Sequence, residues 1–81
     1  MVRACVLIRT RRGEFSGVVE AVSKLPSVLR VFPVLGRYDV VADVEAESLE
    51  NLSRTVVRMS KISGVVFTET LIELKEEEKK C

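Results

Sequence analysis

The stretch that decides the fold is VFPVLGRYDVVADVEAES, residues 31–48. Apolar residues run up to Gly36-Arg37, and an alternation of apolar and acidic residues follows it. A two-residue loop with glycine first is the pattern of a type II′ hairpin, so we expect strands Val28–Leu35 and Tyr38–Val44 to pair antiparallel through this turn. Pro33 cannot donate to a neighbouring strand, which places the first of the two strands at a sheet edge.

The segments on either side of this hairpin complete the fold. Val2–Arg9 and Val65–Leu74 are rich in β-branched residues and predict a first and a last strand. A helix is predicted before the hairpin by apolar residues at helical spacing, and a second helix is predicted after Ser48, a favourable N-cap residue. The order strand, helix, strand, strand, helix, strand is that of a ferredoxin-like α+β fold, with both helices on one face of an antiparallel sheet.

The length of the chain allows one domain. Its 81 residues have room for one modest core, which we assign to residues 1–75. Residues 76–81 are almost entirely charged, and we expect a solvated tail there.

The predicted strands carry apolar residues on both of their faces. In the first strand Val6 and Ile8 alternate with Cys5 and Leu7, and the other strands follow a similar pattern. Helices can cover only one face of the sheet, whereas an antiparallel sheet with one wet face alternates between apolar and polar residues. The sequence therefore predicts that the second face is covered by another copy of the chain, in a dimer or a higher symmetric assembly.

Composition excludes several classes of function. Lys and Arg are spread along the chain at a net charge of +1, which argues against a nucleic-acid surface. The chain has no histidine, and its two cysteines, Cys5 and Cys81, lie at opposite ends without a C-x-x-C pair, so we expect neither a metal site nor another cofactor. No signal peptide or membrane span is evident, which predicts a cytoplasmic protein. Many charges and few amides are typical of thermophiles.

Two segments carry a family resemblance. Val34–Val41 contains Gly-x-Tyr-Asp, and Gly64–Ile72 contains Gly-Val-x-x-Thr-x-Thr. Together with the order of elements, they resemble the effector-binding domain, also called the RAM domain, of the Lrp/AsnC (feast/famine) transcription regulators. Because the chain begins directly on the first strand, we expect a stand-alone member that lacks the DNA-binding domain of this family.

The resemblance implies a function and a site. It implies a sheet-to-sheet or edge-paired dimer, dimers arranged in rings, and a small amino-acid effector bound in the cleft between dimers. Carried over by position, the ligand-binding residues are Gly36, Arg37, Tyr38, Asp39, Thr68 and Thr70. A carboxylate can pair with the ammonium group of an amino acid, and threonine hydroxyls can donate and accept. Leu35 stands where the family often has a small polar residue. Without a DNA-binding domain, the output would be co-assembly with full-length regulators of this family.

Other interpretations of the same residues remain open. Gly36 is explained by turn geometry alone, Tyr38 by packing, and the threonines by strand propensity. Asp39 could pair with a cation across an interface. An ACT-like amino-acid-binding domain shares the order of elements, and a small ferredoxin-like enzyme could hold an anion at Arg11 or Arg12. No nucleophile and base are paired in the sequence, so we predict a protein without catalytic residues.

Overall fold

The computed structural model describes residues 1–74, and the predicted tail lies outside the described residues. The helices and strands follow in the expected order: β1 (Val2–Thr10), α1 (Phe15–Ser23), β2 (Val28–Pro33), β3 (Val40–Ala46), α2 (Leu49–Ser60) and β4 (Val65–Ile72). The four strands form one antiparallel sheet in the order β2-β3-β1-β4. The predicted ferredoxin-like fold is confirmed, and β2, which contains Pro33, lies at a sheet edge as expected.

The core lies between the two helices and one face of the sheet. It is built from small and β-branched side chains of β1 and β3 and from the inner residues of the helices, namely Ala4, Val6, Ile8, Val18, Val22, Val40, Ala42, Val44, Ala46, Leu52 and Met59. The opposite side of the sheet, which we call the open face, is lined by Cys5, Leu7, Phe32, Val41, Phe67, Glu69 and Leu71. Among the described elements, no helix covers it.

Local chemistry explains where the second helix begins. The Asn51 N–H donates to Ser48 Oγ at 3.2 Å, so one of the free donors at the N-terminus of α2 is satisfied, as the sequence predicts. Glu50 lies in the first turn and Arg58 in the last, where each charge is favourable toward the helix dipole.

Gly64 holds the turn after α2 close to the start of α1. Its φ of +98° suits glycine, and a Cβ there would lie 2.8 Å from Glu14 Oε1. The Gly64 carbonyl also accepts a hydrogen bond from the Arg11 N–H at 2.8 Å. This contact ties the β1–α1 loop to the beginning of β4.

The hairpin differs from its prediction. The strands end at Pro33 and resume at Val40, and the innermost turn hydrogen bond runs from the Val34 N–H to the Asp39 carbonyl at 2.9 Å. The prediction of a two-residue turn at Gly36-Arg37 is therefore wrong, because four residues, 35–38, form the loop.

None of the helices in the described part of the chain is long and apolar enough to cross a membrane.

Candidate functional site

The hairpin loop and Asp39, which follows it, provide four of the six predicted ligand-binding residues. Gly36 has a φ of +153°, which residues with a Cβ rarely adopt, so glycine is required here by backbone geometry. Leu35 and Arg37 on either side of it are exposed, and the Leu35 side chain is fully so. The loop therefore projects from the domain with an apolar and a basic side chain at its tip.

Asp39 is bonded to the end of β1. Its N–H donates to the Ile8 carbonyl at 2.9 Å, and its Oδ2 accepts from the Thr10 N–H at 2.7 Å. The residue is half-buried. One carboxylate oxygen thus gives the Thr10 N–H a hydrogen-bond acceptor that it would otherwise lack. The other oxygen can still accept a hydrogen bond from a ligand.

Tyr38 connects the hairpin to β4 on the open face. Its hydroxyl donates to Glu69 Oε1, and its ring meets the Phe67 ring edge to face at a centroid distance of 5.9 Å and an angle of 76°. The hydrogen bond to the Glu69 carboxylate is the main cause that raises the pKa of Tyr38 above its usual value, because it favours the protonated phenol. Strict alternation from Val40 would place Tyr38 on the helix-covered face, but the longer loop breaks the alternation and brings it to the open face.

An apolar pocket of about 430 Å³ lies beside the hairpin. It is lined by Phe15 at the start of α1, by Pro33, Val34 and Leu35, and by Asp39. Asp39 is the one ionisable residue in this lining, so the pocket combines an apolar wall with a carboxylate. Mostly apolar pockets with a few well-placed polar groups are typical of sites for small molecules.

Thr68 and Thr70 lie elsewhere in the protomer. They pair with Ile8 and Val6 of β1, so their side chains share the helix-covered side of the sheet. Thr70 lines a groove of about 250 Å³ between β4 and α2, with Leu49 and Ile72. The structure thus groups the hairpin residues together and places the two threonines on the other side of the sheet from the Tyr38 contacts.

Sequence reasoning missed Glu69 and Phe67 as neighbours of Tyr38. Both alternate with the two threonines along β4, so they point to the opposite face of the sheet. The alternation itself was a signal that could have identified them, because a tyrosine reaching the open face can only meet the odd-numbered residues of this strand.

The centre of the open face is apolar and is surrounded by charges of both signs. Arg3 lies opposite Glu45 in the register of β1 and β3, and the Arg30 guanidinium stacks 4.6 Å from the centre of the Phe32 ring. Burial, and secondarily the charge of Asp43, raises the pKa of the Cys5 thiol, so this thiol is a poor nucleophile at neutral pH. Within residues 1–74, no group of three or more acidic or cysteine side chains is placed to hold a metal ion.

The fold and this site define a small α+β binding module, with a pocket at a hairpin and an apolar sheet face. A family model of the Lrp/AsnC ligand binding domain matches residues 3–80, and the chain belongs to this family. The match favours the Lrp/AsnC family over the ACT-like and enzyme alternatives. The domain described by the family model is a ligand-binding domain of transcription regulators and is not catalytic.

One curated regulator and two solved structures illustrate what the chain is similar to. The transcriptional regulator FL11 of Pyrococcus furiosus is 32% identical over 72 residues, which are 89% of this chain and 48% of the regulator. TTHA0845 of Thermus thermophilus has a TM-score of 0.90 and 36% identity, with 98% of this chain and 100% of that one covered. AsnC of E. coli shares the fold with a TM-score of 0.86 at 20% identity, and 55% of its chain is covered. This chain thus spans about half the length of the curated regulators it matches.

Proposed function

We propose that this chain is a cytoplasmic, non-catalytic sensor that binds a small amino acid between protomers of its own assembly. The observation that supports the proposal most is that the expected ligand-binding residues lie in two separate places in one protomer. Asp39 borders an apolar pocket at the hairpin, whereas Thr68 and Thr70 face the helix-covered side of β4. A site that uses all of them needs the hairpin of one protomer and the β4 strand of another.

The open face supplies a surface for the first contact between protomers. Phe67 is 46% exposed and Leu71 is 50% exposed, and the half-buried Cys5, Leu7 and Val41 lie on the same face. On this face the basic residues belong to β1 and β2, while the acidic residues belong to β3 and β4. Two copies stacked face to face can therefore place opposite charges together around an apolar centre.

The ligand's ammonium group would meet the free Asp39 oxygen, and its carboxylate would meet hydroxyl or backbone donors of the partner. A ligand that binds one assembly state more tightly than another shifts the population toward that state. Rings of dimers would follow from a second contact between dimers. Full-length Lrp/AsnC regulators contain a domain like this one, so co-assembly through the same surface would carry the signal onward.

The test is native mass spectrometry of the purified chain with each of the twenty standard amino acids in turn. An even-numbered assembly that gains the mass of one amino acid supports the proposal. Asp39→Asn removes the negative charge while keeping a hydrogen-bond acceptor at Thr10, and should lose this gain. Glu20→Gln, an exposed acid on α1, is the matched control and should keep it. A monomer without bound ligand, or equal binding by both variants, would contradict the proposal.

Co-assembly is tested by mixing the chain with an FL11-type regulator and measuring masses again. Mixed oligomers that change in abundance with ligand are expected. If the two proteins retain only their own separate masses, the proposal of co-assembly is wrong. The ligand site is tested separately, by the first experiment.

A further inference from the structure

A cavity of about 690 Å³ lies on the helix side of the sheet, at the end of the domain opposite the hairpin. α1 packs mostly on β2, whereas α2 packs mostly on β4 and β3, so a valley remains between the two helices. The cavity occupies the end of this valley where β1 begins at Val2 and β3 ends at Ala46. Its volume lies within the range of about 300–1,000 Å³ that is usual for small-molecule sites.

One wall of the cavity is the turn between α1 and β2. Leu25 and Pro26 give this wall an apolar surface, and Ser27 adds a hydroxyl group. The Val28 N–H donates to the Leu25 carbonyl at 3.1 Å, which closes the turn. The Glu45 N–H donates to the Ser27 carbonyl at 3.0 Å, which ties the turn to β3. The wall is therefore held in place by the protein's own hydrogen bonds.

The facing wall is a polar side of α2. Asn51, Arg54 and Arg58 follow each other at spacings of three and four residues, so they share one side of the helix. Arg54 donates to Asn51 Oδ1 at 3.3 Å and to Glu50 Oε2 at 3.1 Å, which orients its guanidinium and leaves most of its five N–H donors available. Arg58 has no acidic partner within the described residues. Two guanidinium groups, one helical turn apart, therefore line the same cavity.

The lining also includes a buried polar group. Thr55 is the one buried polar side chain in the described part of the chain, and it lies between the core residues Leu52 and Met59 on the inward side of α2. Its hydroxyl donates to the Asn51 carbonyl at 3.2 Å, and its oxygen can still accept a hydrogen bond from a ligand. The cavity thus has a polar group at its base as well as at its rim.

Positive charge prevails around the cavity. Glu45 alternates with the core residues Val44 and Ala46, so its side chain belongs to the open face. Glu47 is then the one acidic side chain of the lining, and it stands against the two guanidinium groups of α2. The cavity is therefore suited to an anion.

We propose that this cavity binds a small phosphate monoester, with the phosphate between Arg54 and Arg58 and the organic part against Leu25 and Pro26. A phosphate monoester carries nearly two negative charges at neutral pH, which match two guanidinium groups. Each planar guanidinium can donate two parallel hydrogen bonds to phosphate oxygens. A carboxylate has one charge and two oxygens, so it can satisfy only one of the two arginines in this way. The Asn51 amide nitrogen can donate to a further phosphate oxygen.

This site goes beyond the proposed function, because it is separate from the proposed amino-acid site. It shares no lining residue with the pocket beside the hairpin, and neither Thr68 nor Thr70 lines it. Binding of a phosphate monoester therefore does not depend on amino-acid sensing.

The ligand class is tested by isothermal titration calorimetry in phosphate-free buffer, with phenyl phosphate, inorganic phosphate and phenylacetate as probes. We expect phenyl phosphate to bind about tenfold more tightly than inorganic phosphate, because its ring covers apolar surface. It should also bind about tenfold more tightly than phenylacetate, because it engages both arginines. The absence of phenyl phosphate binding would overturn the proposal, as would equal affinities for phenyl phosphate and phenylacetate.

Matched variants test where the phosphate binds. Arg58→Gln removes one guanidinium and should weaken phenyl phosphate binding about tenfold or more, whereas Arg58→Lys keeps the charge and should lose less. Glu47→Gln removes the opposing carboxylate and should strengthen binding. Arg12→Gln makes the same charge change in the exposed β1–α1 loop, at the other end of the domain, and is the control. Equal weakening in Arg12→Gln and Arg58→Gln would indicate general charge attraction and would contradict the proposed site.

Backbone NMR of the wild type gives a second measurement that needs no variant. On addition of phenyl phosphate, the largest amide shift changes are expected at residues 27, 51 and 55, which line the cavity. Changes centred on residues 11–13 or on the hairpin at residues 35–39 would place the anion elsewhere and refute the assignment.

Discussion

The hydrogen bond from the Thr10 N–H to Asp39 Oδ2 makes Asp39 a structural residue, whatever else it binds. At 2.7 Å it is a short bond to a charged acceptor, a kind worth about 1.5–3 kcal/mol in net stability. Asp39→Ala leaves a half-buried N–H without a partner, so we expect it to lower the free energy of unfolding by about 2 kcal/mol. In a domain of this size, that corresponds to a Tm lower by about 8–16 °C.

Asp39→Asn keeps a hydrogen-bond acceptor at this position and removes its negative charge. The amide oxygen can still accept from Thr10, and neutral hydrogen bonds are about half as strong, so we expect a loss of about 1 kcal/mol. Urea unfolding followed by circular dichroism measures all variants at one chain concentration, since self-association would otherwise shift the apparent stability. Glu20→Ala, on the exposed side of α1, should change the stability by less than about 0.5 kcal/mol. Equal losses for alanine and asparagine, or no loss for alanine, would refute the role given to this bond.

Two further predictions concern the glycines and the tyrosine. Gly64→Ala should lower the free energy of unfolding by about 2 kcal/mol, because residues with a Cβ rarely adopt its φ of +98° and a Cβ there would lie 3.2 Å from Val18 Cγ2. Gly17→Ala, in open space on α1, should raise it by up to about 1 kcal/mol in the same urea assay. If both variants shift stability in the same direction, this explanation fails. Tyr38 is the one tyrosine in a chain without tryptophan, so its titration can be followed by absorbance. The midpoint should lie above the usual tyrosine pKa, and it should be lower in Glu69→Gln than in the wild type. Since the pKa is raised in the folded state, the stabilisation from this pair is present at neutral pH and is lost as the pH rises through the raised value; an unchanged midpoint in the variant would contradict it.

The sequence predicts most of the fold because its signals are local. The order of elements, the Ser48 cap and the edge position of Pro33 follow from periodicity and from the chemistry of single residues. The hairpin loop was predicted too short because Gly36-Arg37 satisfies the rule for a two-residue turn by itself. What sets its length instead is Asp39, whose side chain and N–H are held by β1, about 30 residues earlier in the chain. Such a long-range bond leaves no local pattern.

The candidate site was predictable as a set of residues, but its arrangement was not. Thr68 and Thr70 are identified by their motif, yet the side of the sheet they face depends on the register of β4 with β1, which the motif does not contain. The motif therefore identifies the residues, whereas only the long-range pairing of β4 with β1 shows that the threonines lie on the opposite side of the sheet from the Tyr38 contacts.

A ligand bound between protomers has a thermodynamic consequence for assembly. By linkage, the difference between its binding free energies for two assembly states equals the shift in the assembly equilibrium, and a tenfold preference for one state corresponds to about 1.4 kcal/mol. At saturating ligand, the midpoint concentration for assembly should then change by the ratio of the two affinities. Ligand binding that leaves this midpoint unchanged would place the effector within one protomer, at the Asp39 pocket alone.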